Sequence, residues 1–357
     1  MNRRGKAVKT GALQYSVVVP IFNDGALARD FCREIARTFR GYLGHDDLAR
    51  DVEVIFVDDG SSNDSPRMLK QVCDEFAFAK MLVLSRNFGQ HIAISAGYRA
   101  SSGAWVAALN VDQEDPPHQL PLLLDAVKAG DHDIVVGLYK RRAMRLSSRV
   151  TSYLFHSAMN RFTGNKTPIN MSMMRVMTRR AVDAYNGLSE KSRYLPGLEN
   201  WLGLRCGWVD IEHQSRRAGS SSYNFRRRVR FAIASIISFS DFPLRLAAKF
   251  GLVMAMIGGL LGTAIVADKL FFRTLLPGYA STIAVIVFLG GVQIMIIGVA
   301  SLYIGRILAE VQQRPLFVIR ETYGGPLQLL DEPLLRLPET KAPVAALEAP
   351  RSDNASA

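Results

Sequence analysis

Val54-Ile55-Phe56-Val57-Asp58-Asp59-Gly60-Ser61-Ser62-Asn63-Asp64 is the stretch on which the fold turns. An apolar run rich in β-branched and aromatic residues ends abruptly in two carboxylates and a Gly-Ser turn, which reads as a buried strand delivering polar groups into a loop. Asp64 can cap the helix that follows, but capping does not account for the Asp58-Asp59 pair. Moving outward, the same grammar recurs. Before it, Val17-Val18-Val19-Pro20-Ile21-Phe22-Asn23-Asp24 runs a strand into a proline turn, an amide and a carboxylate. After it, Ala108-Leu109-Asn110-Val111-Asp112-Gln113-Glu114-Asp115-Pro116-Pro117 runs a strand into acidic residues. Strands are predicted at Ser16–Pro20, Val52–Asp58, Lys80–Ser85, Trp105–Leu109 and Asp133–Val136, and helices at Ala26–Tyr42, Pro66–Phe76, Gln90–Ala100 and Pro117–Ala129. That alternation predicts an α/β fold with an open parallel sheet, whose ligands bind beyond the carboxyl ends of the strands.

The 357 residues leave room for a second module beside this domain. Apolar residues make up 48% and charged residues 21%, ordinary averages that conceal apolar crowding in the C-terminal third. The formal charge of +12 comes partly from basic clusters at Lys140–Arg149 and Arg226–Arg230. The second cluster precedes an apolar stretch, so anionic lipid or phosphate suits the charge better than nucleic acid. Cys32, Cys73 and Cys206 have neither metal-ligand nor redox spacing and read as plain thiols in a reducing compartment. The histidines show no ligand spacing, so no zinc site is expected. Met1–Thr10 is basic, but the run Ser16–Pro20 is too short for a signal-peptide core, so the catalytic part is expected not to be exported.

Between Arg141 and Tyr185 the pattern reads as helical with a polar break at Thr163–Thr167, Met171, Met173, Met174 and Met177 being core or groove lining. Trp208–Glu212 reads as a late strand. Arg226–Phe239 suits a helix lying in a membrane interface. Two apolar stretches, about 246–266 and 283–303, each approach the ~20 residues that cross a bilayer. Their glycines (Gly258, Gly259, Gly262, Gly290, Gly291, Gly298) would let helices approach closely, and Lys249 can snorkel. Basic residues flanking the pair outnumber Lys269 and Arg273 between them, so both ends should face the cytoplasm. The tail from Glu321 onward reads as weakly ordered. The expected organisation is an extension (1–14), a catalytic domain (15–225), a juxtamembrane segment (226–245), a two-helix transmembrane hairpin (246–305) and a flexible cytoplasmic tail (306–357).

These segments, taken in order, resemble the inverting GT-A glycosyltransferases of family 2, and within it the branch acting on dolichyl or polyprenyl phosphate. Pro20 with Asn23-Asp24 is similar to the opening nucleotide-binding strand, and Asp58-Asp59-Gly60-Ser61 to the turn that binds uridine or guanosine. Ser85-Arg86-Asn87-Phe88-Gly89-Gln90 resembles a motif after the third strand. Asn110-Val111-Asp112 stands where the Asp-x-Asp metal motif belongs. Arg216-Arg217-Ala218-Gly219-Ser220-Ser221-Ser222-Tyr223 resembles the Arg-x-x-Gly-x-Ser-Lys-Tyr segment, and Ser238–Leu246 a juxtamembrane sequence. The resemblance spans about Ser16 to Arg306. It departs at Asn110, which replaces an aspartate, at Met173-Met174-Arg175-Val176, which replaces Asp-Phe-Arg-Leu, and at Ser222, which replaces a lysine. Transferases of 4-amino sugars to undecaprenyl phosphate share the second departure.

The resemblance implies a nucleotide-sugar donor, a polyprenyl phosphate acceptor, contact with membrane lipids, and a location in the cell (inner) membrane with the catalytic domain cytoplasmic. Branch members often form homo-oligomers. Donor contacts are expected from Pro20, Asn23, Asp24, Asp58, Asp59, Ser61, Arg86 and Asn110, and acceptor or phosphate contacts from Arg175, Arg216, Ser221 and Tyr223. Asp112 is expected to be catalytic as the ligand of Mg²⁺ or Mn²⁺, which takes one or two carboxylates and completes its shell with phosphate oxygens. Arg175 is expected to be catalytic because a guanidinium fork matches phosphate. Glu199 is a candidate acid near the acceptor, against the plainer reading of a solvated helix-face glutamate. A processive polysaccharide synthase fits poorly without a Gln-x-x-Arg-Trp motif. A degenerate lipid-binding scaffold is the rival from another class, motivated by Asn110 and Met173.

Overall fold

The computed structural model describes residues 13–140, 168, 170–212, 242–271 and 278–327. Four strands, β1 (Tyr15–Ile21), β2 (Val52–Asp58), β3 (Ala79–Leu84) and β4 (Trp105–Ala108), lie within a residue of the predicted ones at either end. The crossovers are α1 (Ala28–Leu43), α2 (Ser65–Glu75), α3 (Gln90–Ala100) and α4 (Leu120–Lys128). α1 shows why the reading works: Phe31, Cys32, Ile35, Ala36 and Phe39 form one buried stripe, and Gly44 ends the helix at φ 76° with its N–H on the Arg40 carbonyl. Alternation divides the sheet's two faces. Val17, Val19 and Phe56 pack with Phe31 and Leu69 on one face, and Val18, Ile55 and Val57 with Ala93, Ile94 and Tyr98 on the other. α3 lies so close to β1 that a Cβ on Gly97 would sit 2.2 Å from a Val18 methyl carbon.

Among the described residues, eight strands run in the order β7-β5-β6-β4-β1-β2-β3-β8, with β5 at Ile134–Tyr139 and β7 at Cys206–Ile211. β1, β2, β3 and β4 are mutually parallel, as predicted. The sheet as a whole is mixed, because β6 (Met171–Thr178) runs antiparallel between β4 and β5, and β8 (Ile319–Tyr323) antiparallel beside β3. β6 corrects the helical expectation for this stretch. Methionine and arginine are good helix formers, but pairing on both edges overrides propensity and buries Met174 and Met177 on opposite faces. A helix follows only at α5 (Arg179–Asn186), and α6 (Leu195–Trp201) completes that layer. The polar break at Thr163–Thr167 and the interface helix at Arg226–Phe239 lie outside the described residues.

β8 corrects the tail expectation in turn: Glu321 belongs to an ordered edge strand. Phe317 and Ile319 are fully buried beside Tyr98 and Leu84, and Ser85 N–H donates to the Val318 carbonyl at 2.9 Å. Glu321 pairs with Lys70, and the Tyr323 hydroxyl donates to Asp74 at 2.7 Å. At the amino ends of the strands, buried Glu53 accepts bonds from Ser16 Oγ at 2.6 Å, Ser102 N at 2.7 Å and Lys80 Nζ at 2.7 Å. Burial raises the Glu53 pKa, yet these bonds outweigh it and hold the carboxyl below its ordinary value. Lys80 Nζ also reaches the Pro326 carbonyl at 2.9 Å, fastening the end of the described chain to the sheet.

Before β8 come α7 (Phe242–Phe271) and α8 (Tyr279–Val311), of 30 and 33 residues. At 1.5 Å per residue each exceeds the ~30 Å of a bilayer core. Their most apolar windows, Phe242–Ala264 and Phe288–Val311, are 6% and 0% buried, so these are not core helices of the domain. The two helices pack together, Ile296 Cδ1 lying 3.4 Å from where a Cβ on Gly251 would be. Among the described residues, a Cβ at Gly258, Gly259, Gly262, Gly290, Gly291 or Gly298 would meet nothing within 4 Å, so the described contact between the helices lies at Gly251 instead. The far end of α8 touches the domain, where Lys191 N–H donates to Glu310 Oε1 at 2.9 Å and Lys191 Nζ reaches the Arg314 carbonyl.

Candidate active site

The chain steps from β1 to β2 to β3 in one direction and then crosses back to place β4 on the other side of β1. The crevice beyond the carboxyl ends of β1 and β4 is therefore the switch point where open α/β sheets bind ligands. Four loops meet along this edge: Phe22–Asp24 after β1, Asp59–Asp64 after β2, Ser85–Gly89 after β3, and Leu109–Pro116 after β4.

The first two loops are knitted together. Asn23, at φ 64°, accepts Ser62 N–H on Oδ1 at 2.9 Å and donates its own N–H to Ser61 Oγ at 2.9 Å. Ser61 Oγ donates to Asp58 Oδ1 at 2.5 Å, and Ser61 N–H to Asp58 Oδ2 at 3.2 Å. Asp64 occupies the N-cap position of α2 without a side-chain bond, and the neighbouring Asn63 Oδ1 instead accepts Ser65 N–H at 3.0 Å. Asp59 turns the other way, accepting Phe88 N–H at 2.7 Å and Gly89 N–H at 2.8 Å, so it binds the third loop at the start of α3. Burial raises the pKa of Asp58 and of Asp59, while the bonds from Ser61 and from Phe88 and Gly89, respectively, pull the other way. The adjacent carboxylates predicted as ligand groups are thus also the fasteners of the site. Gly60 makes their divergence possible: its φ is +66°, and a Cβ there would lie 2.3 Å from the Arg86 carbonyl carbon. Gly60→Ala is therefore expected to push the Ser85–Gly89 loop away and to lower stability by about 1–2 kcal/mol or more, read as a fall in thermal midpoint.

Pro20 is a half-buried member of β1, and Asp24 stands exposed beyond it. Arg86 is exposed and lies over the Phe88 ring at 4.2 Å, a cation held flat at the mouth of the crevice. Asn110 and Asp112 are half-buried at the end of β4. Asn110 Oδ1 accepts Gln90 Nε2 at 2.8 Å, and Asp112 Oδ1 accepts Glu114 N–H at 3.2 Å. Residue-level reading missed Gln90 as a site residue; its only signal was its place in the Ser85–Gln90 segment. Asp115 is internal, taking Tyr139 Oη at 2.5 Å and Met174 N–H at 3.2 Å, and pins the loop after β4 to β5 and β6. Among the described residues, no three His, Cys, Asp or Glu side chains group as a metal cage. The oxygen donors of Asn110 and Asp112 suit a hard cation that draws its other ligands from phosphate and water.

Arg175 and Glu199 depart furthest from expectation. Arg175 is 1% exposed, and its Nη1 meets Glu199 Oε1 at 2.6 Å; Glu199 is 3% exposed. Arg175 Nε also donates to the Met173 carbonyl at 3.2 Å. The guanidinium expected on a phosphate is instead sealed beneath the site, and the glutamate is not a solvated helix-face group. The pair lies at the end of β4, since Arg175 is in register with Ala108, and Tyr98, Tyr185 and His91 of the helices and Tyr194 at the start of α6 lie around it. Burial opposes the Arg175 charge, but Glu199 outweighs it and raises the pKa. Burial, joined by the Arg175 charge, lowers the His91 pKa to about 4, so this imidazole stays neutral near pH 7. Cys73 and Cys206 are pushed up by burial to about 12 and about 11, which keeps them as inert thiols. Arg216, Ser221 and Tyr223 lie outside the described residues.

Comparison with known proteins agrees with this geometry. The family described as Glycosyl transferase family 2 matches residues 16–185, the span that holds all four loops. The SfII prophage-derived bactoprenol glucosyl transferase of Shigella flexneri is 31% identical over 313 residues, covering 88% of this chain and 99% of that protein. The undecaprenyl-phosphate 4-deoxy-4-formamido-L-arabinose transferase of Klebsiella pneumoniae is 30% identical over 314 residues, covering 87% and 94%. Among solved structures, glucosyl-3-phosphoglycerate synthase from Mycobacterium tuberculosis is similar at 20% identity and a TM-score of 0.46, over 67% of this chain and 86% of that one. The strand-end carboxylates on an open α/β sheet, the family match over residues 16–185 and relatives matched over nearly their whole length lead to one conclusion: the chain is a glycosyltransferase and belongs to glycosyl transferase family 2.

Proposed function

We propose that this protein transfers a sugar from a nucleoside-diphosphate sugar to a polyprenyl phosphate, with inversion, at the cytoplasmic face of the cell membrane. The observation that carries this reading is the joining of two unlike sites in one body. A strand-end crevice suited to a polar, phosphorylated donor is tied through Lys191–Glu310 and β8 to two long apolar helices that face outward. Relatives matched over nearly their whole length bear the names of bactoprenol and undecaprenyl-phosphate sugar transferases.

In the reaction, an oxygen of the lipid phosphate attacks the anomeric carbon as the bond to the nucleoside diphosphate breaks. The acceptor is already anionic near neutral pH, so positioning and charge stabilisation matter more than a strong base. Asp112, with Asn110 beside it, would hold Mg²⁺ or Mn²⁺, which neutralises charge gathering on the departing diphosphate. Asp24, Asp58, Asp59, Ser61 and Arg86 are assigned to the donor, and Arg216, Ser221 and Tyr223 to the acceptor phosphate. Arg175 is reassigned to the floor beneath Asn110, because its guanidinium is occupied by Glu199.

α7 and α8 would cross the membrane as a hairpin with both chain ends cytoplasmic, in line with the basic residues flanking it. The test combines detergent-purified protein, undecaprenyl phosphate, Mn²⁺ or Mg²⁺ and a panel of UDP- and GDP-sugars. One donor is expected to yield a lipid-linked sugar and a nucleoside diphosphate, with chelation by EDTA stopping both. Nucleotide binding without any product from any donor would favour a lipid-binding scaffold instead.

A further inference from the structure

β8 arrives at the donor edge from the far side of the apolar hairpin, and it is irregular where it arrives. Ile319 pairs with Leu84 and Glu321 with Val83, so Arg320 is the extra residue of a β-bulge. Bulges beside ligand sites commonly re-aim a side chain. The same row of the sheet runs from Glu321 through Val83 to Asp58, the residue that anchors the loop after β2. Strands lie about 4.8 Å apart, so β8 is about 10 Å from β2. Across that gap the Arg320 charge still favours the ionised form of Asp58. Arg320 is exposed, and among the described residues no carboxylate lies within ion-pair distance of it, whereas its neighbour Glu321 is taken by Lys70.

β8 is held firmly enough to present such a group. Phe317 and Ile319 are buried, Val318 accepts the Ser85 N–H, and Tyr323 bonds Asp74. The loop after β2 lies on the outer flank of the crevice, two strands from β4, whose Asp112 is assigned to the diphosphate in the reading above. On that reading, a cation beside the loop after β2 would meet the nucleobase end of the donor.

We propose that Arg320 is a donor-specificity residue, contributed by the strand after the second apolar helix, whose guanidinium donates to a carbonyl oxygen of the nucleobase. This rests on the nucleotide-sugar reading above and adds to it a wall of the site made by the chain's return from the hairpin. Uracil and guanine both offer such carbonyls, while adenine presents an amino group at the corresponding position.

The experiment measures binding of UDP, GDP, ADP and inorganic pyrophosphate, each with Mn²⁺, to the full chain in detergent by calorimetry. Arg320→Gln is compared with Arg320→Lys and with Tyr323→Phe, which perturbs the same strand away from the bulge. The expected result is that Arg320→Gln weakens UDP or GDP about tenfold or more, that pyrophosphate binding is unchanged, and that Tyr323→Phe behaves as wild type. Arg320→Lys should recover only part of the loss, because an ammonium keeps the charge without the fork. Unchanged UDP and GDP binding in Arg320→Gln overturns the role of Arg320 and leaves the donor reading standing. An equal loss for UDP and pyrophosphate overturns the base contact. Wild-type protein that binds none of the nucleotides overturns the donor reading and this inference together.

Discussion

Asp112→Ala is expected to lower sugar transfer by about 10²–10³-fold while leaving the thermal midpoint close to wild type. The side chain is half-buried in the loop after β4, and the bond it makes to its own turn, Glu114 N–H at 3.2 Å, is long. Asn110 stands beside it as a neutral amide already engaged by Gln90, so Asp112 carries the formal negative charge of the Asn110-Val111-Asp112 segment. A cation there needs that charge to bind between protein and diphosphate. The check is turnover measured against Mn²⁺ concentration, with nucleotide binding followed in parallel. A variant that keeps more than about a tenth of wild-type turnover at every metal concentration would remove Asp112 from the metal site.

The second large effect concerns stability. Glu199→Ala is expected to cost about 3–5 kcal/mol, because it strands the Arg175 charge in a pocket from which water is excluded. That is a large part of the stability of an ordinary domain. Chemical denaturation of the single variant and of the Glu199→Ala, Arg175→Met double variant checks it. The double variant should regain much of the loss, since removing both charges leaves no uncompensated one. Glu199→Gln separates structure from chemistry. A folded variant with near-normal turnover shows that the glutamate acts only through Arg175, whereas a stable variant that has lost turnover returns Glu199 to the reaction.

Much of the donor edge was legible because it is local. A β-branched run ending in Asp-Asp-Gly-Ser must leave the sheet there, and the glycine at φ +66° is the residue that lets it turn. Asn23 and Ser61 were recognised as site residues, but their bond to each other spans 38 positions and carries no local mark. The same limit applies to Asp59, whose partners Phe88 and Gly89 were read only as part of another motif. Arg175 and Glu199 were each singled out for separate roles. Their union depends on β6 threading antiparallel between β4 and β5, and the residues of β6 alone favour a helix.

By itself, then, the sequence determined the alternation of strands and helices, the loops where carboxylates leave the sheet, and the two apolar helices. Each of these follows from side-chain periodicity and turn chemistry within a few residues. Only the tertiary structure decided that Met171–Thr178 is a strand, that Arg175 is neutralised from within, and that Ile319–Tyr323 returns to close the sheet beside β3. The physical reason is that strand pairing and charge pairing are satisfied by whatever partner the fold brings near. A residue's own neighbours in the chain do not name that partner.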